Sequence, residues 1–187
     1  MSARIAPGRL GRIGSAVGLY PGPVLVRLPD AFQVLVSSIA WLVVSLVVGF
    51  LATRWPDTRL ARSGPLTRLR HWEDGGAWWQ RHLHVRRWKD RLPQAGGFMP
   101  GGRSMRHLGV RTTEGLVRFR GETVRAERVH WLIWSSLILH VIWCRPAVFA
   151  GMALFSIALN APFIVIQRYN RGRLESLISA RAARGAG

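Results

Sequence analysis

Glu122-Thr123-Val124-Arg125-Ala126-Glu127-Arg128-Val129-His130-Trp131 leads into an apolar run that ends at Cys144. Arg145-Pro146 then turns the chain into a second apolar run, which closes on Gln167-Arg168-Tyr169-Asn170-Arg171-Gly172-Arg173-Leu174. Two apolar segments joined by a tight turn make a hairpin. The polar clusters at its open ends, 122–131 and 167–173, therefore lie together at one membrane face. Polar groups held at the edge of hydrocarbon are costly unless paired. Two such clusters facing each other read as a site rather than as ordinary helix ends.

Composition agrees with a membrane. Of 187 residues, 49% are apolar, yet the formal charge is +18, from 27 Lys+Arg against 9 Asp+Glu. A soluble chain this basic would suggest nucleic acid, but apolar residues gathered into long runs point to lipid, and no nucleic-acid partner is expected. The single cysteine, Cys144, excludes an intrachain disulfide framework and a four-cysteine metal site.

Working outward, Ala31 to Thr53 gives 23 residues without formal charge, enough at ~1.5 Å each to cross ~30 Å of hydrocarbon. The fold class is an all-α membrane protein with about three transmembrane helices, at about 31–53, 129–144 and 147–166, plus amphipathic interfacial helices. The second span is short. Residues 1–29 form a loose arm without the pattern of a signal peptide, 30–174 a single domain, and 175–187 a basic tail, partly disordered beyond Ile178. The segment 54–128 holds 17 of the 27 cationic residues. From about Pro65 to Leu92 it reads as amphipathic helix, broken at Gly75-Gly76, with Trp72, Trp78, Trp79 and Trp88 interleaved among arginines. That mixture belongs in the headgroup layer, so the lipid bilayer and its anionic lipids are expected partners. Residues 94–102 are a Gly/Pro-rich connector, and a helix restarts near Thr113, which is placed to cap it. Three spans put the central segment and the tail on one side, with 22 cationic residues against 5 on the other. The positive-inside rule then places 54–128 and the C-terminus in the cytoplasm.

Glu127 and His130 are three apart and share a helix face. A carboxylate beside an imidazole fixes its tautomer and makes it a usable general base. The competing reading pairs Glu127 with Arg128 or Arg173 and leaves His130 as an interfacial residue. On the third helix Ser156, Asn160, Phe163 and Gln167 share a face, as ligand contacts or as helix–helix glue. Pro162 removes one helical hydrogen bond and frees the carbonyl near Ala158. Gln167-Arg168-Tyr169-Asn170-Arg171 offers two guanidiniums, an amide and a phenol to a sugar, a phosphate or a pantetheine-linked donor. His107, beside Arg106 and a glycine-rich loop, is a second acid/base candidate. Glu-x-x-His also occurs in di-iron bundles, which need two such motifs; one is present, and no metal is expected. A Gly-x-Ser-x-Gly elbow and a nucleotide-binding fingerprint are missing.

Trp55-Pro56-Asp57, Val85-Arg86-Arg87-Trp88-Lys89, Arg106-His107-Leu108, Glu122-Thr123, Arg125-Ala126-Glu127, His130-Trp131, Asn160-Ala161-Pro162, Gln167-Arg168-Tyr169-Asn170-Arg171 and Arg173-Leu174 occur in this order. Together they resemble the glycosyl-4,4'-diaponeurosporenoate acyltransferase family of bacterial carotenoid pathways, over roughly Trp55 to Leu174. The resemblance implies a multi-pass enzyme of the bacterial cell membrane. It would move a fatty acyl group onto a sugar hydroxyl of a glycosylated C30 carotenoid, giving an ester such as staphyloxanthin. No cofactor is implied beyond the acyl thioester donor, acyl-CoA or acyl-carrier protein, as co-substrate.

The resemblance brings no catalytic residues with it, so roles rest on the residues themselves. His130, oriented by Glu127, removes the hydroxyl proton, and His107 is the further catalytic candidate. Arg86, Trp88, Lys89, Glu122, Asn160, Gln167, Arg168, Tyr169, Asn170 and Arg171 are the substrate-binding candidates. Of these, Arg168 and Asn170, with His107, would hold the donor or the tetrahedral oxyanion. Two other readings stay open: an acyltransferase acting on another glycolipid, and a non-enzymatic membrane scaffold or assembly subunit that binds anionic lipid.

Overall fold

The computed structural model describes residues 25–26, 28–92 and 112–185, which are all helix, turn or connector. Helix α1 (Asp30–Thr53) and helix α6 (Pro146–Gly185) are both long and apolar enough to cross a membrane. α1 is buried only at Gln33, Ser37 and Ala52, while Phe32, Leu42, Val43 and Leu46 stand exposed. A helix apolar all round and left bare by its own fold suits lipid.

The expected span at 129–144 is not one α-helix. Helix α5 (Thr113–Ser135) gives way to a 3-10 segment, Ser136–Ile142. The tighter winding lengthens a short run: at ~2.0 Å per residue in place of ~1.5 Å, the seven 3-10 residues span roughly 14 Å, about 3.5 Å more than they would as α-helix. The cap of α5 is Thr112 rather than Thr113, its hydroxyl accepting the Gly115 N–H at 3.1 Å. α6 opens on Pro146, whose missing N–H is harmless in a first turn. Its 40 residues do not stop at Ile166. They run as helix to Gly185, about 60 Å, so the basic tail expected to be partly disordered is helical there.

Contacts at both ends fix the topology. Near the N-terminus of α1, Gln33 Oε1 accepts the Arg145 N–H at 2.9 Å, Trp143 Nε1 donates to Ser37 Oγ at 2.8 Å, and Asp30 pairs with Arg145 at 2.9 Å. Past its C-terminus, Arg125 Nη2 donates to the Trp55 carbonyl at 3.3 Å. α5 thus runs antiparallel to α1 and α6, which places 122–131 beside 167–173 as the hairpin required.

The tightest packing sits at that end, where residues 57–92 wrap α5 and α6. This stretch holds helix α2 (Asp57–Ala61), a 3-10 turn (His71–Gly76), helix α3 (Ala77–Leu83) and helix α4 (Val85–Trp88). The expected long amphipathic helix is therefore a set of short pieces. It breaks at Gly75-Gly76 as read, and again at His84, whose φ is +48°. The glycine turn presses on α6: a Cβ on Gly76 (φ +89°) would stand 2.7 Å from the Tyr169 carbonyl oxygen, and one on Gly172 2.5 Å from the Gly76 nitrogen. Beside this contact Val85 packs with Ile166 and Tyr169 under Trp79 and Trp88.

Candidate functional site

α5 supplies Glu127, α6 supplies Arg168 and Arg171, and the glycine turn delivers Glu73 between them. Both carboxylates are buried, at 0% exposure. Arg168 uses all five of its N–H groups. Nε donates to Glu73 Oε2 at 2.9 Å and Nη1 to Glu127 Oε1 at 2.7 Å. Nη1 and Nη2 also reach the Leu66 and Arg68 carbonyls at 3.0 and 3.1 Å, and Nη2 pairs with Glu73 Oε1. Glu73 takes further bonds from the Arg70 N–H at 2.7 Å and Trp79 Nε1 at 2.8 Å. Burial pushes the Glu73 carboxyl up, but Arg168, the Arg70 N–H and Trp79 together pull it below the usual carboxylate range. Sequence reasoning passed over Glu73 and Thr67, and marked Trp79 only as part of an interfacial Trp/Arg mixture. The available signal was an acid set among tryptophans and glycines in a chain short of acids.

Glu127 does not orient His130. Its oxygens accept from Arg168, from Arg171 Nη2 at 2.5 Å and from Trp131 Nε1 at 3.2 Å. Sharing a face with His130 was not enough, because α6 brings two guanidiniums to the same carboxylate. The partner of His130 is Asn160, with Nδ1 3.0 Å from Asn160 Oδ1, while the imidazole stacks on Phe163 with centroids 4.8 Å apart. Asn160 Nδ2 donates to the Ser156 carbonyl at 2.9 Å. A carbonyl only accepts, so the amide nitrogen must face Ser156 and the amide oxygen must face His130. His130 therefore carries its proton on Nδ1, and Nε2 is left as the basic nitrogen.

Saturation also removes Arg168 from the list of free substrate contacts. Arg171 is the contrast. It is fully buried, and Nη2 serves Glu127 and the Thr67 carbonyl, but Nε and Nη1 have no hydrogen-bond partner among the described residues. Gln167 Oε1, one turn earlier, is likewise buried and unpartnered among them. Buried polar groups are normally satisfied, so these three idle N–H donors and one idle acceptor set Arg171 and Gln167 apart from the saturated Arg168.

The other candidates fall into two sets. Glu122 is buried, with Arg125 Nη1 across both oxygens at 2.8 and 2.7 Å. The Tyr169 hydroxyl accepts from Arg173 at 3.2 Å while its ring joins the Val85 core. Asn170 is partly exposed. Trp88 lies against Ala158, Ala161 and Pro162 on the far side of α6, its Nε1 donating to the Leu83 carbonyl at 2.8 Å; its neighbour Lys89 pairs with Asp90 at 2.7 Å, and Arg86 is exposed. His107 lies outside the described residues. Among the described residues no three His, Cys, Asp or Glu side chains gather as a metal site.

A family model described as glycosyl-4,4'-diaponeurosporenoate acyltransferase matches residues 64–180. Proteins of that name from Staphylococcus aureus strains N315 and USA300 are each 29% identical to the chain over 148 residues, covering 79% of it and 89% of theirs. The protein of that name from strain Newman is 28% identical over the same length. No solved structure matches.

Proposed function

Because the chain belongs to the glycosyl-4,4'-diaponeurosporenoate acyltransferase family, and is an acyltransferase, we propose that it esterifies a sugar hydroxyl of a glycosylated carotenoid with a fatty acyl group at the membrane surface. His130, held by Asn160, is the base. The observation that carries this reading is the 3.0 Å contact between His130 Nδ1 and Asn160 Oδ1, which leaves Nε2 free to take a proton. The sugar oxygen attacks the thioester carbonyl carbon as its proton passes to Nε2. The tetrahedral oxyanion meets the unpartnered N–H groups of Arg171, a charge-assisted stabilisation in a site shielded from water. Collapse breaks the carbon–sulfur bond, and the leaving thiolate takes the proton back from His130 to depart as the thiol. Glu73, Glu127 and Arg168 hold α5, α6 and the glycine turn in register around this pair.

Both substrates are apolar at one end and polar at the other, so a site where α5 and α6 leave the bilayer suits them. The polyene and the acyl chain stay in lipid while their polar ends meet at His130. The chain is multi-pass in this reading, with α1, the 129–144 stretch and α6 as spans, and with 54–128 and the C-terminus cytoplasmic. Deleting the gene and profiling host pigments by mass spectrometry tests the function. Loss of an acylated glycosyl carotenoid with build-up of its deacylated precursor is expected. Unchanged pigment, with a different glycolipid lacking its acyl chain, overturns the acceptor.

A further inference from the structure

A groove of about 460 Å³ runs along α6 on the side away from the candidate site. Leu83, Trp88 and Leu92 form one wall, and Ala158, Ala161 and Pro162 lie on the helix face opposite them. At 100° per residue, these α6 positions fall across the helix from Ser156, Asn160, Phe163 and Gln167. The groove therefore looks away from His130.

The segment that supplies this wall, residues 83–92, is cationic. Arg86, Arg87 and Arg91 are exposed, and their guanidiniums make no hydrogen bond or ion pair among the described residues. The neighbouring acids are already engaged, Asp90 with Lys89 at 2.7 Å and Asp74 with Arg81 at 3.0 Å. An apolar slot whose wall segment carries three exposed guanidiniums suits a molecule with a hydrocarbon body and an anionic head. A glycosylated carotenoid presents a sugar and no anion. An acyl thioester would have its reactive carbon separated from His130 by the body of α6, about 10 Å across. A membrane lipid needs only the slot and the cationic segment.

We propose that this groove binds one acyl chain of an anionic phospholipid whose phosphate sits among Arg86, Arg87 and Arg91. The bound lipid pins residues 83–92 onto α6, and with them Val85 and Trp88 onto the Tyr169 core. The proposal rests on membrane insertion and not on the acyl-transfer chemistry.

The test uses the full-length protein, purified in detergent and stripped of lipid. It is titrated with dioleoyl phosphatidylglycerol or dioleoyl phosphatidylcholine and read by native mass spectrometry. One phosphatidylglycerol should be retained in strong preference. Each juxtamembrane cation contributes about a fivefold preference, so Arg86→Gln, Arg87→Gln and Arg91→Gln combined should weaken retention on the order of a hundredfold. All three side chains are exposed, so helix content by circular dichroism should hold. Ala161→Phe, which fills the groove, should weaken both lipids. Equal retention of the two lipids, wild-type retention by the triple variant, or one-for-one displacement of phosphatidylglycerol by palmitoyl-CoA would each overturn the assignment.

Discussion

Arg168→Lys separates a structural clamp from a substrate contact. The guanidinium reaches five oxygens at once: both of Glu73, one of Glu127, and the Leu66 and Arg68 carbonyls. An ammonium keeps the charge but has three donors on one atom and no fork, so at least two of these oxygens lose their partner. Hydrogen bonds to charged groups contribute about 1.5–3 kcal/mol each, which puts the cost at about 3 kcal/mol or more. Full removal of a buried partner costs about 3–5 kcal/mol. In a chain of this size 1 kcal/mol moves Tm by about 2–4 °C, so Arg168→Lys should lower Tm by roughly 6–12 °C. The assay is thermal unfolding of the detergent-solubilised protein by circular dichroism. Adding Glu73→Gln should cost less than the sum of the two single changes, because both act on one network. A Tm at the wild-type value together with a raised KM would show that Arg168 faces substrate and that the clamp account is wrong.

Three further outcomes follow from the same geometry. Gly172→Ala should destabilise by about 1–3 kcal/mol, because its Cβ meets the Gly75-Gly76 backbone, which has no room to retreat; an unchanged Tm would rule out that close approach. The Glu73 carboxyl is held below its ordinary range, so its contribution to stability is complete above the unfolded value of about 4.3 and is lost as pH falls through the lower folded value. Tm should fall with acid in that window, and Glu73→Gln should flatten this part of the fall while lowering Tm at neutral pH. Asn160→Leu should lower kcat about tenfold by releasing the His130 ring, with little change in KM. Asn160→Asp should instead move the acid limb of the pH–rate profile upward, since a carboxylate stabilises the imidazolium. An unmoved profile would leave Asn160 a packing residue.

The hairpin was legible in the sequence because charge is scarce inside apolar runs and dense at their ends. α1 stood out as an uncharged run, and its exposed side chains agree. The meeting of 122–131 with 167–173 followed from the Arg145-Pro146 turn alone. The pairing inside that meeting was not legible. Periodicity places Glu127 and His130 on one face, but it does not reveal that α6 offers Glu127 two arginines and His130 an asparagine. Asn160 was marked for its place on a polar face, without its partner. Glu73 escaped notice because its burial depends on a glycine turn in left-handed backbone lying on Tyr169 and Gly172, a contact made across nearly a hundred residues of sequence. The α6 tail was misread because its charge resembles a solvated end, whereas the helix simply continues past its apolar run to Gly185.

The central claim is that His130 Nε2 takes the proton of the acceptor hydroxyl. The direct measurement is the rate of ester formation in vesicles carrying the protein, a glycosyl carotenoid and palmitoyl-CoA, for the wild type and for His130→Gln. General-base catalysis is worth about 10²–10⁴ in rate, so kcat should fall by that factor, with Tm and the KM for the acceptor nearly unchanged. A His130→Gln protein that turns over within a few-fold of wild type would place the base elsewhere and contradict the account.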